Sequence, residues 1–490
     1  MSMSEIFAAE QPTSLPQLGT AVPLAVDLDG TLVKTDLMVE SLLALVRQNP
    51  FYLLVIPFWL LRGRAFLKRE ISRRTTLDVQ GLPYHGEFLA FLKAQHAQGR
   101  PLILATGSEE RIARRVADHL GIFTKVLATL GNMNLSPRRK REWLVGELGE
   151  KGFDYAGNAR GDLIVWSSAR RAILVNPGES LSRRAARVAE IERIFNHGGT
   201  RVRSYLRALR PSQWLKNLLV FVPLIMIQRY ADPGLLAKVF LAFLSFGLCA
   251  SSVYLVNDLV DLPADRRHPL KRKRPFAAGD LPLFWGMASA PVLLGSGLLL
   301  SLLLPRFFLG MLLLYWALNL AYSFSFKRLI LADVILLACL YTMRIMAGAA
   351  SIALWPSSWL LAFSTFLFFS LALVKRYAEL GIMRRAEGEK ARVRGYRVVD
   401  MELLASLGGG SGYVAVLVLA IYISSGTAGV LYSRAFLLWF LCPLLLYWIS
   451  YVWLIAHRGG MEDDPLVFTI RNRASRIVLA LGAAILLLAR

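Results

Sequence analysis

Apolar residues are distributed unevenly along the chain and divide it into two parts. Residues from about 20 to 180 alternate short apolar runs with charged and small residues, the pattern of a water-soluble α/β domain. From about residue 214 onward, apolar runs of about 20 residues, long enough to cross a bilayer, follow one another. Nine such runs can be placed, at 214–230, 234–257, 282–304, 307–326, 329–352, 356–378, 404–427, 434–456 and 474–490. The second part is therefore predicted to be an α-helical polytopic membrane domain.

Three short apolar runs in the first part predict buried strands, at 21–26, 101–105 and 153–156. Polar residues follow each of them, at Asp27 to Thr31, at Thr106 to Ser108 and at Gly157 to Asp162. Ligands of open α/β sheets bind at the carboxyl ends of the strands. A site is therefore predicted at that edge of the sheet.

The predicted domain limits are a tail over 1–20, an α/β domain with a small helical cap over 21–178, a basic linker over 179–213 and a membrane domain over 214–490. The cap is predicted to be helical over 37–85, and Phe51 to Leu61 is an apolar run too short to span a bilayer. This run is predicted to form the buried core of the cap, with contact with the lipid interface as the alternative. The linker is rich in arginine, so we expect it to rest on an anionic membrane surface.

The formal net charge of +23 refines this topology. Lys and Arg concentrate before the first apolar run and in every second loop, and positive residues in short loops stay cytoplasmic. The distribution of Lys and Arg over alternate loops predicts a protein of the bacterial plasma (inner) membrane, with the first domain cytoplasmic and the carboxyl terminus outside. It also argues against nucleic-acid binding. The three cysteines, Cys249, Cys339 and Cys442, lie inside apolar runs and are predicted to be packing residues.

A cluster of oxygen-bearing side chains lies at the end of the second apolar run, just before a basic segment. It consists of Asn257, Asp258, Asp261 and Asp265. If the helix continues, three of them repeat every fourth residue and point into one volume. Carboxylates at membrane depth are costly unless a cation lies among them, and oxygen ligands suit Mg²⁺ carrying a diphosphate. The alternative is a solvated helix end.

The three strand ends of the first domain resemble the motifs of the haloacid dehalogenase-like (HAD) phosphohydrolases. The resemblance implies that Asp27 is a nucleophile, Asp29 a general acid/base and Thr106 a phosphate ligand. It implies a Mg²⁺ shell made of Asp27, Asp29, Asn158 and Asp162. The family also uses a lysine before its last motif, for which Lys140 is the first candidate and Lys151 the second.

The aspartate cluster and the number of apolar runs resemble the UbiA superfamily of intramembrane prenyltransferases, over about residues 200–490. Most of that superfamily carries a second acidic motif between its sixth and seventh spans. This chain has Lys375-Arg376-Tyr377-Ala378-Glu379 there. A basic second motif is similar to the decaprenyl-phosphate phosphoribosyltransferase branch, as is the tripeptide Arg394-Gly395-Tyr396.

This second resemblance implies two phosphorylated substrates and a role for each motif. Asn257, Asp258, Asp261 and Asp265 would hold Mg²⁺ and the diphosphate of 5-phosphoribose-1-diphosphate (PRPP), with Asp258 and Asp261 as catalytic residues. The remaining phosphates would be neutralised by Lys271, Arg274 and Lys327. Lys375 and Arg376 would bind the phosphate of a polyprenyl phosphate. Further substrate-binding residues would be Lys216, Tyr322, Arg344 and Glu379.

The sequence thus favours a bifunctional membrane enzyme. It would transfer 5-phosphoribose from PRPP to a decaprenyl-type phosphate, and the HAD-like phosphatase would remove the 5′-phosphate of the product. One alternative is a prenyltransferase that joins a prenyl diphosphate to an aromatic or other acceptor, with an independent phosphatase. Another is a non-enzymatic polyprenyl-phosphate carrier. Prenyl chain length and oligomeric state stay open.

Overall fold

The computed structural model describes residues 21–130, 134–196, 201–461 and 464–490. The predicted tail over 1–20 lies outside the described residues. The chain forms two compact units. The first contains Met1–Ala208 and Val256–Ala288, and the second contains Leu209–Leu255 and Ser289–Arg490.

A six-stranded parallel sheet with the order β3-β2-β1-β4-β5-β6 organises the first unit. Its strands are β1 Leu24–Val26, β2 Leu102–Glu109, β3 Lys125–Thr129, β4 Asp154–Gly157, β5 Arg171–Val175 and β6 Glu190–Phe195. The helices of the chain up to residue 209 are α1 Leu37–Gln48, α2 Tyr52–Leu61, α3 Arg64–Arg74, α4 Gly86–Ala97, α5 Glu110–Leu120, α6 Pro137–Leu148, α7 Leu163–Trp166, α8 Glu179–Ala185 and α9 Arg201–Leu209.

The central strand β1 fixes where the polar loops meet. All three of its residues are buried, and it pairs with β2 on one side and β4 on the other. Val26 lies opposite Leu104 in β2 and Ala156 in β4. Because the strands are parallel, the residues just beyond these positions reach the same edge of the sheet, as predicted from the three strand ends.

The sheet continues further along the chain than the predicted limit of 178. Helix α8 and strand β6 lie in the range predicted as a linker, and β6 pairs with β5 over Glu190 to Phe195. As an edge strand, β6 is mostly exposed and carries charged residues, so its composition is similar to that of a solvated linker.

The apolar run around Phe51 forms helix α2, but the prediction that it is a buried core was wrong. No residue of α2 is buried. One stripe, formed by Tyr52, Ile56 and Trp59, packs against Leu45 of α1 and against α3. The helix is covered on this side alone, because the small cap provides no second layer of helices.

Past residue 209 the chain is helical. The helices are α10 Val222–Met226, α11 Pro233–Val260, α12 Leu262–Arg267, α13 Leu283–Ser301, α14 Arg306–Phe324, α15 Ala332–Ser351, α16 Ser358–Glu387, α17 Met401–Ser424, α18 Leu441–His457, α19 Pro465–Arg471 and α20 Arg473–Ala489. Strands β7 Arg392–Val393 and β8 Tyr396–Arg397 form a two-stranded hairpin.

Within the described residues, seven helices are long and apolar enough to cross a membrane, or eight if the bent pair α19 and α20 forms one span. This identifies a membrane protein, and eight of the nine predicted runs correspond to these helices. The run predicted at 214–230 differs, since it forms a 3-10 helix over Pro211–Phe221 followed by the short α10. Trp214 of this segment packs so closely on Gly247 of α11 that a β-carbon there would lie 2.8 Å from the indole ring.

Candidate active sites

Asp27 and Lys140 form the centre of the site in the first unit. Lys140 Nζ lies 2.8 Å from Asp27 Oδ1 and donates to the hydroxyl of Tyr155, also at 2.8 Å. The Tyr155 hydroxyl in turn donates to Asp162 Oδ1 at 3.0 Å. Lys140 and Tyr155 are buried, so their charge and dipole act on Asp27 with little screening. Lys151 lies elsewhere, with its ammonium group on the carbonyl oxygens of Ser167 and Ala169.

The buried environment of Asp29 raises its pKa above that of an ordinary aspartate. The backbone N–H of Leu37 donates to Asp29 Oδ1 at 2.8 Å, and the Ser108 hydroxyl donates to Oδ2. Burial raises the pKa of Asp29 to about 7, and the charge of Asp36 acts in the same direction. Burial also raises the pKa of Asp27 to about 6, against the opposing effect of Lys140. A carboxyl group with a pKa near neutrality can deliver a proton at physiological pH.

Asn158 lies against the turn that follows β1. A β-carbon on Gly30 would lie 2.1 Å from the amide nitrogen of Asn158, and Gly30 has φ +76°. Asp162 accepts the backbone N–H groups of Asn158 and Ala159 through Oδ2, at 3.0 and 2.9 Å. In this arrangement Asp162 orders the loop that presents Asn158. The oxygen atoms of Asp27, Asp29 and Asn158 are chemically suited to Mg²⁺.

Sequence reasoning missed one lysine of this site. Lys68 of α3 donates to the carbonyl of Gly107 at 2.6 Å and to Asn134 Oδ1 at 3.0 Å. It thereby reaches the carboxyl-terminal part of β2, which contains Thr106. Thr106 is fully buried, and its hydroxyl accepts the N–H of Ser108 at 3.0 Å. The sequence gives little signal for Lys68, because cap residues reach the site only through tertiary packing.

The aspartate cluster differs from the continuous helix that its spacing predicts. Helix α11 ends at Val260, Asp261 precedes α12, and Pro263 lies in the first turn of α12. Asp258 and Asp265 are both buried, and the guanidinium of Arg274 contacts both, at 3.2 and 2.5 Å.

Metal ligation by this cluster was predicted for Asp258, Asp261 and Asp265. In the part of the chain that the structure describes, no three His, Cys, Asp or Glu side chains are grouped closely enough to hold a metal ion. Arg274 already provides a positive charge there. The donors still suit Mg²⁺ chemically, because Asn257 Oδ1 is a buried oxygen without a hydrogen-bond partner among the described residues.

Two further predicted cations lie in short 3-10 turns. Lys271 begins the turn Lys271–Lys273, and Lys327 lies in the turn Phe326–Arg328. Within the first unit, Arg266 of α12 makes a buried two-pronged ion pair with Glu40 of α1, and Arg267 pairs with Asp78. The segment that follows the aspartates is therefore anchored on the α/β domain.

In the second unit, Lys216 and Lys375 meet at one carboxylate that sequence reasoning missed. Asp464 Oδ2 lies 2.7 Å from Lys216 Nζ and 3.0 Å from Lys375 Nζ. The Tyr341 hydroxyl donates to Asp464 at 3.1 Å. The formal charges of Lys216, Lys375 and Asp464 add up to +1, and Lys375 is 26% exposed. The site can therefore attract an anion while one carboxylate keeps its two lysines in place.

Arg376 has a different environment from Lys375, although the two were predicted to bind the same phosphate. Arg376 is fully buried, and its guanidinium contacts Asp333, Glu379 and the Tyr322 hydroxyl. Asp333 also accepts the Tyr396 hydroxyl at 2.6 Å. This geometry makes Arg376, Glu379 and Tyr322 parts of a closed network that fixes the helix carrying Lys375.

Arg344 is the third buried cation of the second unit. Its Nε donates to Asn217 Oδ1 at 3.1 Å and its Nη2 donates to the Tyr315 hydroxyl at 2.8 Å. Asn217 is the neighbour of Lys216 in the chain, so Arg344 of α15 fixes the segment that carries that lysine.

Comparison with known proteins gives two families for the two parts of the chain. Residues 218–475 match the UbiA prenyltransferase family, and residues 24–158 match the haloacid dehalogenase-like hydrolases. The uncharacterized protein y4nM of Sinorhizobium fredii is 36% identical over 477 residues, which cover 96% of this chain and 91% of that protein.

Two shorter relatives match over more than half of this chain. Nodulation protein NoeC of Azorhizobium caulinodans is 35% identical over 295 residues, 59% of this chain and 94% of that protein. Decaprenyl-phosphate phosphoribosyltransferase of Mycobacterium tuberculosis is 32% identical over 297 residues, 58% of this chain and 95% of that protein. Both resemblances identified from motifs, and the predicted fold class, are confirmed. The chain belongs to the UbiA prenyltransferase family and carries a haloacid dehalogenase-like hydrolase domain in its amino-terminal part.

Proposed function

We propose that this membrane enzyme transfers 5-phosphoribose from PRPP to a polyprenyl phosphate, and that its HAD domain then removes the 5′-phosphate of the product. The proposal rests on the opposite charges of two motifs. The cluster around Asp258 is acidic, whereas Lys216 and Lys375 form a lysine pair. An acidic cluster suits a cation-bound diphosphate and a lysine pair suits a lipid phosphate. The similarity to decaprenyl-phosphate phosphoribosyltransferases supports the same assignment.

The donor would be held by Asn257, Asp258, Asp261 and Asp265, with Lys271, Arg274 and Lys327 on its remaining phosphates. Mg²⁺, when bound there, neutralises the negative charge of the diphosphate and of the departing pyrophosphate. Arg274 contacts both Asp258 and Asp265, so it can orient the two carboxylates and carry part of the charge of the donor. The distribution of Lys and Arg over the loops supports a cytoplasmic location for this chemistry in a bacterial inner membrane.

The acceptor phosphate would lie on Lys375 and Lys216. A polyprenyl phosphate is already anionic near neutral pH, so its oxygen can attack the anomeric carbon without a general base. The new bond joins that carbon to the phosphate oxygen, and the bond from the carbon to pyrophosphate breaks. Asp464 and the buried network of Arg376 position the two lysines. Catalysis then depends on orientation and on the exclusion of water.

In the HAD domain, the Asp27 carboxylate would attack the phosphorus of the 5′-phosphate and form an aspartyl phosphate. Asp29 would donate its proton to the departing sugar alkoxide and then take a proton from the water that hydrolyses the aspartyl phosphate. Lys140 neutralises charge at Asp27, and Thr106 would bind a phosphate oxygen. The raised pKa of Asp29, about 7, suits this double role.

Donor competition tests the transferase. The purified protein in nanodiscs is given Mg²⁺, polyprenyl phosphate and ribose-labelled PRPP, or a labelled prenyl diphosphate with an aromatic acceptor. We expect label from PRPP to enter the lipid. Asp261→Asn should lower that rate roughly 100-fold or more. The matched control is Asp232→Asn, near the other end of α11, which should leave it unchanged. Consumption of the prenyl diphosphate with PRPP untouched would favour an ordinary prenyltransferase instead.

A further inference from the structure

Helix α2 of the HAD domain exposes a stripe of large apolar side chains. Its ten residues include no charged residue, and the stripe opposite Tyr52, Ile56 and Trp59 does not pack on the domain. The most exposed side chains of this stripe and its flank are Phe51 at 74%, Leu54 at 68%, Phe58 at 68% and Leu61 at 86%. A contiguous apolar face of this kind in contact with water is unfavourable and marks an interaction surface.

The charged residues that flank this stripe in the sequence are all positive. From Arg47 to Lys68 the sequence contains no Asp or Glu. Arg47 and Arg62 flank the helix and are exposed. Apolar side chains bordered by arginine fit the boundary between acyl chains and anionic head groups. A second copy of the same face would instead bring like charges together, which disfavours a symmetric dimer through it.

The same helix pair reaches the phosphatase site. Gly63 joins α2 to α3, and Lys68 of α3 donates to the Gly107 carbonyl beside Thr106. Ser72, one turn further along α3, donates to Glu109 at the end of β2 at 2.6 Å. Because Leu67 and Ile71 of α3 pack on α2, the apolar stripe and the rim of the site belong to one packed element.

We propose that α2 is a membrane-interface helix, which inserts the Phe51–Leu61 stripe into the lipid boundary and thereby presents the HAD site to phosphomonoesters carried on a lipid. The inference rests on the phosphatase part of the proposed function and adds how its lipid-linked substrate reaches the site. The preferred substrate is a lipid-linked sugar phosphate, and small soluble phosphomonoesters lack this advantage because they reach the site from water.

The location of α2 can be measured without any activity. Phe58→Cys is introduced into a Cys339→Ala background, since Cys249 and Cys442 are buried, and is labelled with an environment-sensitive fluorophore in nanodiscs that contain anionic lipid. The matched control is Val188→Cys, on an exposed apolar residue of the same domain. We expect emission at position 58 to be blue-shifted and quenched by spin-labelled lipids, and emission at 188 to be neither. Equal exposure to water at both positions, or shielding without lipid quenching, as in a dimer, would overturn the proposal.

The consequence for substrate choice is tested with the double variant Leu54→Asn/Phe58→Asn. Hydrolysis of the phosphoribosyl lipid should fall on the order of 10-fold, since the lost insertion removes two large apolar anchors. Hydrolysis of p-nitrophenyl phosphate should stay unchanged, as should both activities in the control Ile164→Asn. An equal loss on both substrates, or no loss on the lipid, would contradict the inference. A wild-type protein inactive on every phosphomonoester would refute the proposed phosphatase, while the fluorescence result would still decide the location of α2.

Discussion

Asp464 shows how one buried carboxylate can organise a cationic site. It contacts both Lys216 and Lys375 within 3.0 Å, and its own side chain is only 6% exposed. Two ammonium groups so close together repel each other unless an anion lies between them. Asp464 therefore keeps the lysine pair compact, while the net positive charge leaves room for a second anion.

Removing that carboxylate should damage both stability and transfer. We expect Asp464→Asn to lower the free energy of unfolding by about 3 kcal/mol, because it leaves buried charges uncompensated. The comparison is Glu389→Gln, which breaks an exposed pair with Arg384 and should have little effect. Thermal unfolding in nanodiscs and the transferase rate measure the two effects. Equal behaviour of the two variants would show that Asp464 does not hold the lysine pair.

The raised pKa values of Asp27 and Asp29 should make the expected binding of Mg²⁺ by these two carboxylates depend on pH. In the folded, metal-free protein the pKa of Asp27 is about 6 and that of Asp29 is about 7, whereas both have the ordinary aspartate pKa of 3.8 in the unfolded chain. Between these pH values the folded protein therefore binds more protons than the unfolded chain. The free energy of unfolding therefore falls as pH rises through this window. Mg²⁺ requires the ionised carboxylates, so we expect it to raise the Tm more at about pH 8 than at about pH 5.5. The difference should shrink in Asp27→Asn; an identical Mg²⁺ effect at both pH values would contradict this account.

The sequence motifs predicted some of the side-chain contacts in these sites, such as the one between Asp27 and Lys140, but not the contacts of Arg376. Asp27 and Lys140 are 113 positions apart, yet the family pattern was enough to pair them, and they lie 2.8 Å apart. The burial of Arg376 could not be predicted, because its partners Asp333 and Tyr322 come from other helices and a basic motif alone does not show whether its charge is already neutralised. Asp464 was missed for the same reason.

Among the elements of the first unit, the turn after β1 is closely packed at the HAD site. Gly30 combines a positive φ of +76° with a close approach to Asn158. Gly121, at the end of α5, has a similar φ of +63°, but a β-carbon added there would have no neighbouring atom within 4 Å. Substitution at the two glycines therefore distinguishes the effect of backbone strain, present at both, from the effect of a steric clash, present only at Gly30.

We predict that Gly30→Ala abolishes phosphatase activity, whereas Gly121→Ala only costs about 1 kcal/mol of stability through backbone strain. The reason is that the added methyl group at position 30 displaces Asn158 from the site. Phosphate release from the phosphoribosyl lipid and thermal unfolding are measured for both variants. Transferase activity should survive in each. If Gly30→Ala retained normal phosphatase activity, the close packing of Asn158 on this turn would have no functional role.

Elements marked by a long apolar run were predicted well, and elements that depend on their neighbours in the fold were not. Long apolar runs gave the spans from α11 onward, since length and hydropathy suffice for a membrane helix. The segment 214–230 is equally apolar, but it forms a 3-10 helix followed by a short α-helix. In this segment Trp214 packs on Gly247, and a proline lies at position 223. The pairing of strand β6 and the exposure of helix α2 depend on which elements pack beside them, and the local sequence does not contain this information.

In the whole molecule, the chain joins a domain of the UbiA prenyltransferase family to a haloacid dehalogenase-like hydrolase domain. Segments of both families lie within the first unit. The Arg266–Glu40 pair ties the segment after the aspartate cluster to α1 of the HAD domain. A product released beside a tethered second enzyme is present at high effective concentration. Fusion would therefore favour removal of the 5′-phosphate before the lipid diffuses away.

Transfer and dephosphorylation are measured together with PRPP that carries ¹⁴C in the ribose and ³²P in the 5-phosphate, in the presence of polyprenyl phosphate and Mg²⁺. Wild-type protein should place ¹⁴C in the lipid and release ³²P as inorganic phosphate. Asp27→Asn should yield a lipid that retains both labels in equal amounts. A lipid without ¹⁴C would contradict the transfer, and equal retention of ³²P by wild type and Asp27→Asn would contradict the coupled phosphatase.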